Sequence, residues 1–240
     1  MPRAVCLTNV PHEGPGMLGD LLAEAGYRVE VIEAFKGEPL PVDLGAEDVL
    51  VVMGGPMGVA DIGRPEFPWL APVVALLRAR LAKDWPNVGV CLGMQLIAHA
   101  AGAKVVPMID ADGRRLREVG WGRLDFVGTD IVTRGLPASI EVLHWHGDGC
   151  ELPKGAELLA STKVCPVQMF RLGRSFGMQF HPEIDGPTAC LWAEEDAEFV
   201  RAANGPEGVA YLQAASPGAA QRTYAHRRRL LSQALSAVTA

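Results

Sequence analysis

The sequence predicts an α/β fold, a mixed and largely parallel sheet with helices on both faces. Three observations carry that expectation. Short β-type runs alternate with helical runs through the first hundred residues, the pattern of a parallel sheet covered by helices. One of those runs, Asp48 to Met53, is almost unbroken in apolar character, as expected of a strand covered on both sides. The segment Gly89 to Gly93 then passes from a short apolar strand through a sharp turn into a helix.

The elements follow in order. Ala4 to Asn9 reads as a first strand, Met17 to Ala25 as a helix, and Arg28 to Phe35 as a second strand before Asp48 to Met53. Pro68 to Lys83 reads as a helix, with Pro68 suited to its first turn and Leu70, Val73, Val74, Leu77 and Leu81 on one face. Asn87 to Val90 is a strand, and Leu92 to Ala101 a helix stopped at Gly102. The rhythm then changes to strands and turns, with strands expected at Val119 to Phe126, Ile140 to Trp145, Leu158 to Ser161, Val167 to Arg171 and Ser175 to Phe180. Thr188 to Ala203 is helical in composition. Pro217 to Val238 predicts a last helix capped by Ser216, whose Arg222, Arg227, Arg228 and Arg229 read as a solvated face, with a subunit contact between copies in a homo-oligomer as the alternative. No repeat or linker divides the chain, so residues 1–240 are expected to form one domain with a helical extension over 188–240.

Composition narrows the function. A formal net charge of −6 gives no footprint for nucleic acid, and no stretch approaches the roughly 20 apolar residues that span a bilayer. The start of the chain does not read as a signal peptide, which predicts a cytoplasmic protein. The five cysteines, Cys6, Cys91, Cys150, Cys165 and Cys190, are odd in number and include no CxxC pair. They fit neither a disulfide framework nor a thiolate zinc site. Four can be ordinary small buried residues.

Cys91 stands in a different context. The strand, turn and helix around it match a nucleophile elbow with cysteine in place of serine. Gly89 and Gly93 allow backbone to press against the turn where a Cβ would clash. The helix that follows directs free N–H groups and a positive dipole end at the sulfur, which favours thiolate. Such a nucleophile needs a histidine to move protons and an acceptor to fix that histidine's tautomer. His181 and Glu183 supply both: two-residue spacing in extended chain sends them to the same side, and Pro182 favours the extended form. His144 and His146 have the HxH spacing of metal sites, but no third ligand is evident in the sequence, and the chemistry requires neither metal nor cofactor.

MGGP at Met53 to Pro56, GVCLGMQ at Gly89 to Gln95, HGD at His146 to Asp148 and QFHPE at Gln179 to Glu183 occur together and in this order. In these four motifs the sequence resembles the class I, or triad-type, glutamine amidotransferases, and within them the stand-alone group similar to the amidotransferase domain of GMP synthase. The resemblance implies a flavodoxin-like fold and a catalytic Cys91, His181 and Glu183. It places the oxyanion hole at the backbone N–H groups of Gly55 and Leu92, and it puts Gly54, Gln95 and His146 around the substrate. Met94 departs from the histidine common in GMP synthase-type domains and reads as pocket lining.

The implied reaction is hydrolysis of the glutamine side-chain amide to glutamate and ammonia through a Cys91 thioester, with ammonia passed to an acceptor or a synthase partner subunit. The stretch after Glu183 is too short for an ATP-dependent synthetase. A γ-glutamyl peptidase using the same triad is the alternative, and a regulatory or binding subunit with little activity of its own is a third reading.

Overall fold

The computed structural model describes residues 1–128 and 130–239. In chain order these form β1 (Arg3–Thr8), α1 (Gly16–Glu24), β2 (Arg28–Glu33), β3 (Val49–Val52), α2 (Leu70–Leu81), β4 (Asn87–Val90) and α3 (Leu92–Ala100). There follow β5 (Val105–Pro107), β6 (Glu118–Phe126), β7 (Ser139–His146), β8 (Asp148–Cys150), β9 (Glu157–Ser161), β10 (Met169–Leu172) and β11 (Ser175–Met178). Three helices close the chain: α4 (Gly186–Glu195), α5 (Ala197–Asn204) and α6 (Gly208–Thr239). Nine strands make one sheet in the order β2-β1-β3-β4-β11-β10-β9-β6-β7. The half from β2 to β11 is parallel, and the remaining pairs are antiparallel.

Strand β3 shows why its sequence is uninterrupted in apolar residues. Val49, Val51 and Met53 pack with Leu18 and Leu22 of α1 and Leu230 and Leu231 of α6 on one face. Leu50 and Val52 pack with Leu70, Val73 and Leu77 of α2 and Leu96 and Ile97 of α3 on the other. Side chains alternate between faces along a strand, so a strand covered on both sides must be apolar throughout. The sheet is thus the middle layer, and the C-terminal ends of β1, β3, β4 and β11 open toward the same edge, where open α/β sheets bind ligands.

Several boundaries differ from expectation. The single helix expected over Thr188 to Ala203 is two, because Asp196 leaves helical geometry and serves both as the C-cap of α4 and as the N-cap of α5. The last helix does not begin at Ser216. It starts at Gly208 and carries Pro217 inside, and Ser216 is buried and accepts a hydrogen bond from Trp121 Nε1 at 3.0 Å. A proline removes the N–H that would satisfy the carbonyl four residues earlier. That carbonyl, on Gln213, instead receives the Cys190 thiol at 3.5 Å. On α2, Leu81 is only half-buried, and Arg80 is buried instead, donating to Asn87 Oδ1 and to the Asp48 and Pro86 carbonyls. The short β5–β8 ribbon was not apparent from hydropathy, since its residues are mostly half-exposed. Among the described residues no helix is long and apolar enough to cross a membrane.

Candidate active site

Cys91 stands between β4 and α3 with φ 51° and ψ −108°, left-handed backbone held by a non-glycine residue. Such strain costs on the order of 1–3 kcal/mol and persists only where the surroundings impose it. They do so here through the two flanking glycines. A Cβ on Gly89 would lie 2.5 Å from the Gly93 carbonyl oxygen and 2.6 Å from Met94 N, and one on Gly93 would collide with the Val52 carbonyl. The Cys91 N–H donates to the Met178 carbonyl at 2.7 Å, tying the turn to the neighbouring strand β11. The sulfur therefore stands at the end of the sheet, 3.7 Å from the Trp145 carbonyl and 3.5 Å from Gln179 Nε2.

The chain leaving β11 brings His181 and Glu183 to that sulfur. His181 Nδ1 lies 2.9 Å from Glu183 Oε1, both side chains being buried, and the His181 N–H donates to the Leu143 carbonyl of β7. Burial opposes a charged ring, but the Glu183 carboxylate and hydrogen bonds to Cys91 and Glu183 outweigh it and hold the His181 pKa well above its ordinary value. Trp192 of α4 packs edge-on against the ring at 4.7 Å and fixes its plane.

Two further supports were invisible to the motif reading. Arg227 of α6, expected on a solvated face, is buried and donates through Nη1 to the Pro182 and Ile184 carbonyls at 2.7 and 2.8 Å, bracketing Glu183. Its remaining nitrogens bond Thr223 Oγ1 and the Ala220 carbonyl. A signal existed: Arg227 lies in phase with Leu230, Leu231, Ala234 and Leu235, the buried stripe of the helix. Asn9 donates from Nδ2 to the Met53 and Gly54 carbonyls and accepts from Trp69 Nε1, so it fixes the backbone leading into Gly55.

The other expected residues surround the same space. A cavity of about 530 Å³ opens over Cys91, lined by Gly55, Leu92, Gln95, Trp145, His146 and His181, with Glu13 on its wall. Gly54 lies beside it: a Cβ there would be 3.1 Å from His181 Cε1 and would strike the Glu13 carboxylate. Gln95 Nε2 donates to Gln179 Oε1 at 3.1 Å. A cavity of about 660 Å³ on the other side of Glu183, lined by Gly14, Tyr224 and Arg227, does not reach Cys91.

The remaining cysteines differ in kind. Burial pushes the thiols of Cys6, Cys150 and Cys165 up to about 12, and raises that of Cys190.

A family model for the class-I glutamine amidotransferases matches residues 17–189. The chain belongs to that family. Among curated relatives, the GMP synthase (glutamine-hydrolysing) of Syntrophomonas wolfei is 34% identical over 179 residues, covering 70% of this chain and 31% of the relative. That of Thermomicrobium roseum is 33% identical, covering 56% and 23%. The chain thus spans about a third or less of the length of these relatives. Among solved structures, a glutamine amidotransferase from Thermotoga maritima superposes with a TM-score of 0.83 at 26% identity, over 99% of this chain and 98% of that one. One from Methylobacillus flagellatus, at 23% identity and a TM-score of 0.81, shares the fold.

The HGD motif straddles two strands: His146 ends β7 and Asp148 begins β8. His146 Nδ1 faces the Asp148 carbonyl at 3.1 Å, and its Nε2 lies 3.3 Å from Glu118 Oε2. Cys165 completes a group of three donor atoms with Glu118 and His146, within 4.8 Å of one another, but His144 is not among them, so the HxH pair does not act together as a ligand set. Gln168 Nε2 already bonds Glu118 Oε2 at 2.6 Å and approaches His146 Nε2 at 3.3 Å, so this network fixes the cavity wall by hydrogen bonds. His144 contributes nothing to it, since neither ring nitrogen has a partner among the described residues, and burial lowers its pKa to about 4, leaving a neutral ring.

Proposed function

We propose that the chain hydrolyses the side-chain amide of glutamine, with Cys91 as nucleophile, His181 as proton carrier and Glu183 as the group that orients His181. The single observation behind this reading is the buried His181–Glu183 pair, 2.9 Å apart, presented to a cysteine on a strained strand-to-helix turn. The Cys91 sulfur attacks the amide carbon, and the negative oxygen that forms is held by the N–H groups of Gly55 and Leu92. Collapse of that intermediate breaks the C–N bond while protonated His181 gives its proton to the leaving nitrogen, so ammonia departs and a thioester remains. His181 then takes a proton from water, whose oxygen attacks the thioester and releases glutamate. Gly54, Gln95 and His146 position the substrate.

The matched relatives are glutamine-hydrolysing GMP synthases, and the chain aligns with a minor part of each. That relation supports an amidotransferase unit, residues 1–240, that supplies ammonia to a synthase partner subunit and works in the cytoplasm with its thiols reduced. The γ-glutamyl peptidase reading uses the same residues and differs in the leaving group. Purified protein assayed on glutamine and on γ-glutamyl dipeptides, with and without a candidate synthase subunit, decides between them. Glutamine turnover that rises with the partner is expected. Dipeptide cleavage many-fold faster than glutamine hydrolysis under every condition would overturn the amidotransferase assignment.

A further inference from the structure

The loop between β1 and α1 carries Glu13, a residue none of the four motifs contains. It is partly buried and lines the cavity over Cys91. The space beside Gly54 that a Cβ would fill is shared by Glu13 Oε2 and His181 Cε1, so the carboxylate lies along one edge of the imidazole. The loop is not free to move away. The His12 carbonyl accepts from Trp192 Nε1 at 3.2 Å, His12 Nδ1 pairs with Glu195 Oε2 at 2.8 Å, and the Met17 N–H donates to the Glu183 carbonyl at 3.1 Å.

The other charged groups on the cavity wall are already engaged. Asp61 accepts from the Gly58 N–H and pairs with Arg64, Asp148 pairs with Arg115 at 3.0 Å, and Asp196 accepts from Trp145 Nε1 at 3.0 Å. The influences on Glu13 are burial and the charges of His181, Glu183 and Asp196, with no hydrogen bond among them. It is an acid on the wall of the site with no hydrogen-bond or ion-pair partner among the described residues.

In the reaction above, His181 delivers its proton to the departing nitrogen, so the leaving group must sit at the imidazole. Glu13 borders that place. We infer that Glu13, backed by Asp196, sets the leaving-group specificity of the Cys91 site. Amides that release ammonia or an amine bearing a further positive charge are accepted, and γ-glutamyl conjugates whose leaving group carries a carboxylate are repelled. The inference rests on the assignment of Cys91 and His181 as the reacting pair. A like charge brought against a partly buried carboxylate is penalised strongly, whereas a neutral amide meets no such barrier. Burial raises the Glu13 pKa to about 7, so the repulsion should grow as the pH rises through neutrality.

The test compares kcat/KM for glutamine, a γ-glutamyl diamine and γ-glutamyl glycine in the full chain and in its Glu13→Gln variant, which is close in shape and leaves Cys91, His181 and Glu183 intact. The unaltered protein should favour the first two substrates over γ-glutamyl glycine by about 10-fold or more, increasingly so from about pH 6 to about pH 8. Glu13→Gln should shrink that preference by about 10-fold and remove its pH dependence. A purely structural role would lower all three substrates together and leave their ratio unchanged, which overturns the proposal. So does a preference for γ-glutamyl glycine in the unaltered protein. Where turnover is too slow to measure, protection of Cys91 from a chloro-isoxazole glutamine analogue by each compound reads the same order of preference at the level of binding. Absence of any Cys91 labelling would instead refute the assignment of the nucleophile.

Discussion

The parallel half of the sheet and the last helix both serve the same site, yet they encode that service differently. In the turn after β4 the requirement is marked locally: Gly89 and Gly93 flank Cys91 by two positions each, and both must be glycine, Gly89 because of the Gly93 backbone and Gly93 because of the Val52 carbonyl of β3. In α6 the requirement is remote. Arg227 braces the carbonyls of Pro182 and Ile184 some 45 and 43 positions earlier in the chain. Backbone crowding leaves a mark in the sequence because only glycine satisfies it, whereas the phase of Arg227 with the buried stripe of α6 marks its burial but not the carbonyls it braces.

The sharpest way to break this contrast is at Gly93. Gly93→Ala puts a methyl group into the Val52 carbonyl, and neither backbone can yield without opening the elbow. The expected loss is about 3 kcal/mol or more of stability, with inactive or insoluble protein, measured by denaturant unfolding and solubility. Normal stability and activity in this variant would show that the turn has slack.

Arg227→Met keeps much of the side-chain volume but leaves the Pro182 and Ile184 carbonyls without their donor. A destabilisation of about 2–4 kcal/mol is expected, together with a fall in kcat as Glu183 loses its fixed position. Stability lost with kcat unchanged among the folded molecules would make Arg227 a support for the helix alone.

Glu13 gives a pH-dependent effect of intermediate size. Its pKa rises from 4.5 in the ordinary carboxyl to about 7 in the fold. The folded state therefore holds the proton more tightly than the unfolded chain between those values, and stability falls as the pH rises across that window. Glu13→Gln removes this loss. The variant should be more stable than the parent by about 1–3 kcal/mol at pH about 8, and the difference should fade below pH about 4.5. Thermal unfolding across that range measures it, and a pH-independent difference would contradict the assigned environment.

The smallest effect belongs to another arginine of α6. Arg222 pairs with Glu141 at 2.8 Å but is exposed, so Arg222→Ala should leave the transition in the same unfolding assay essentially where it is in the parent. A loss comparable with that of Arg227 would erase the distinction between the helix's two faces.

Much of this architecture was legible because its causes are local. Strand β3 announced two-sided burial through its composition, and His181 and Glu183 were brought together by the two-residue period of extended chain around Pro182. The antiparallel half was found as strands but not as an order, since register depends on partners far apart in sequence. Gln168 and Glu118, fifty positions apart, meet only because β6 and the segment before β10 converge behind His146. Glu13 left no sign either, because its role depends on the void beside Gly54. The internal Pro217 misled the reading of α6, since a proline ordinarily starts a helix, and the thiol that compensates it comes from α4.

The central claim is that Cys91 alone among the five cysteines is a nucleophile serving a glutamine pocket. Treating the intact protein with a diazo-ketone or chloro-isoxazole analogue of glutamine and mapping the adduct by mass spectrometry tests it directly. One adduct on Cys91, suppressed by excess glutamine and absent from Cys91→Ala, is the expected result. Labelling spread over Cys6, Cys150, Cys165 and Cys190, or undiminished in Cys91→Ala, would contradict it.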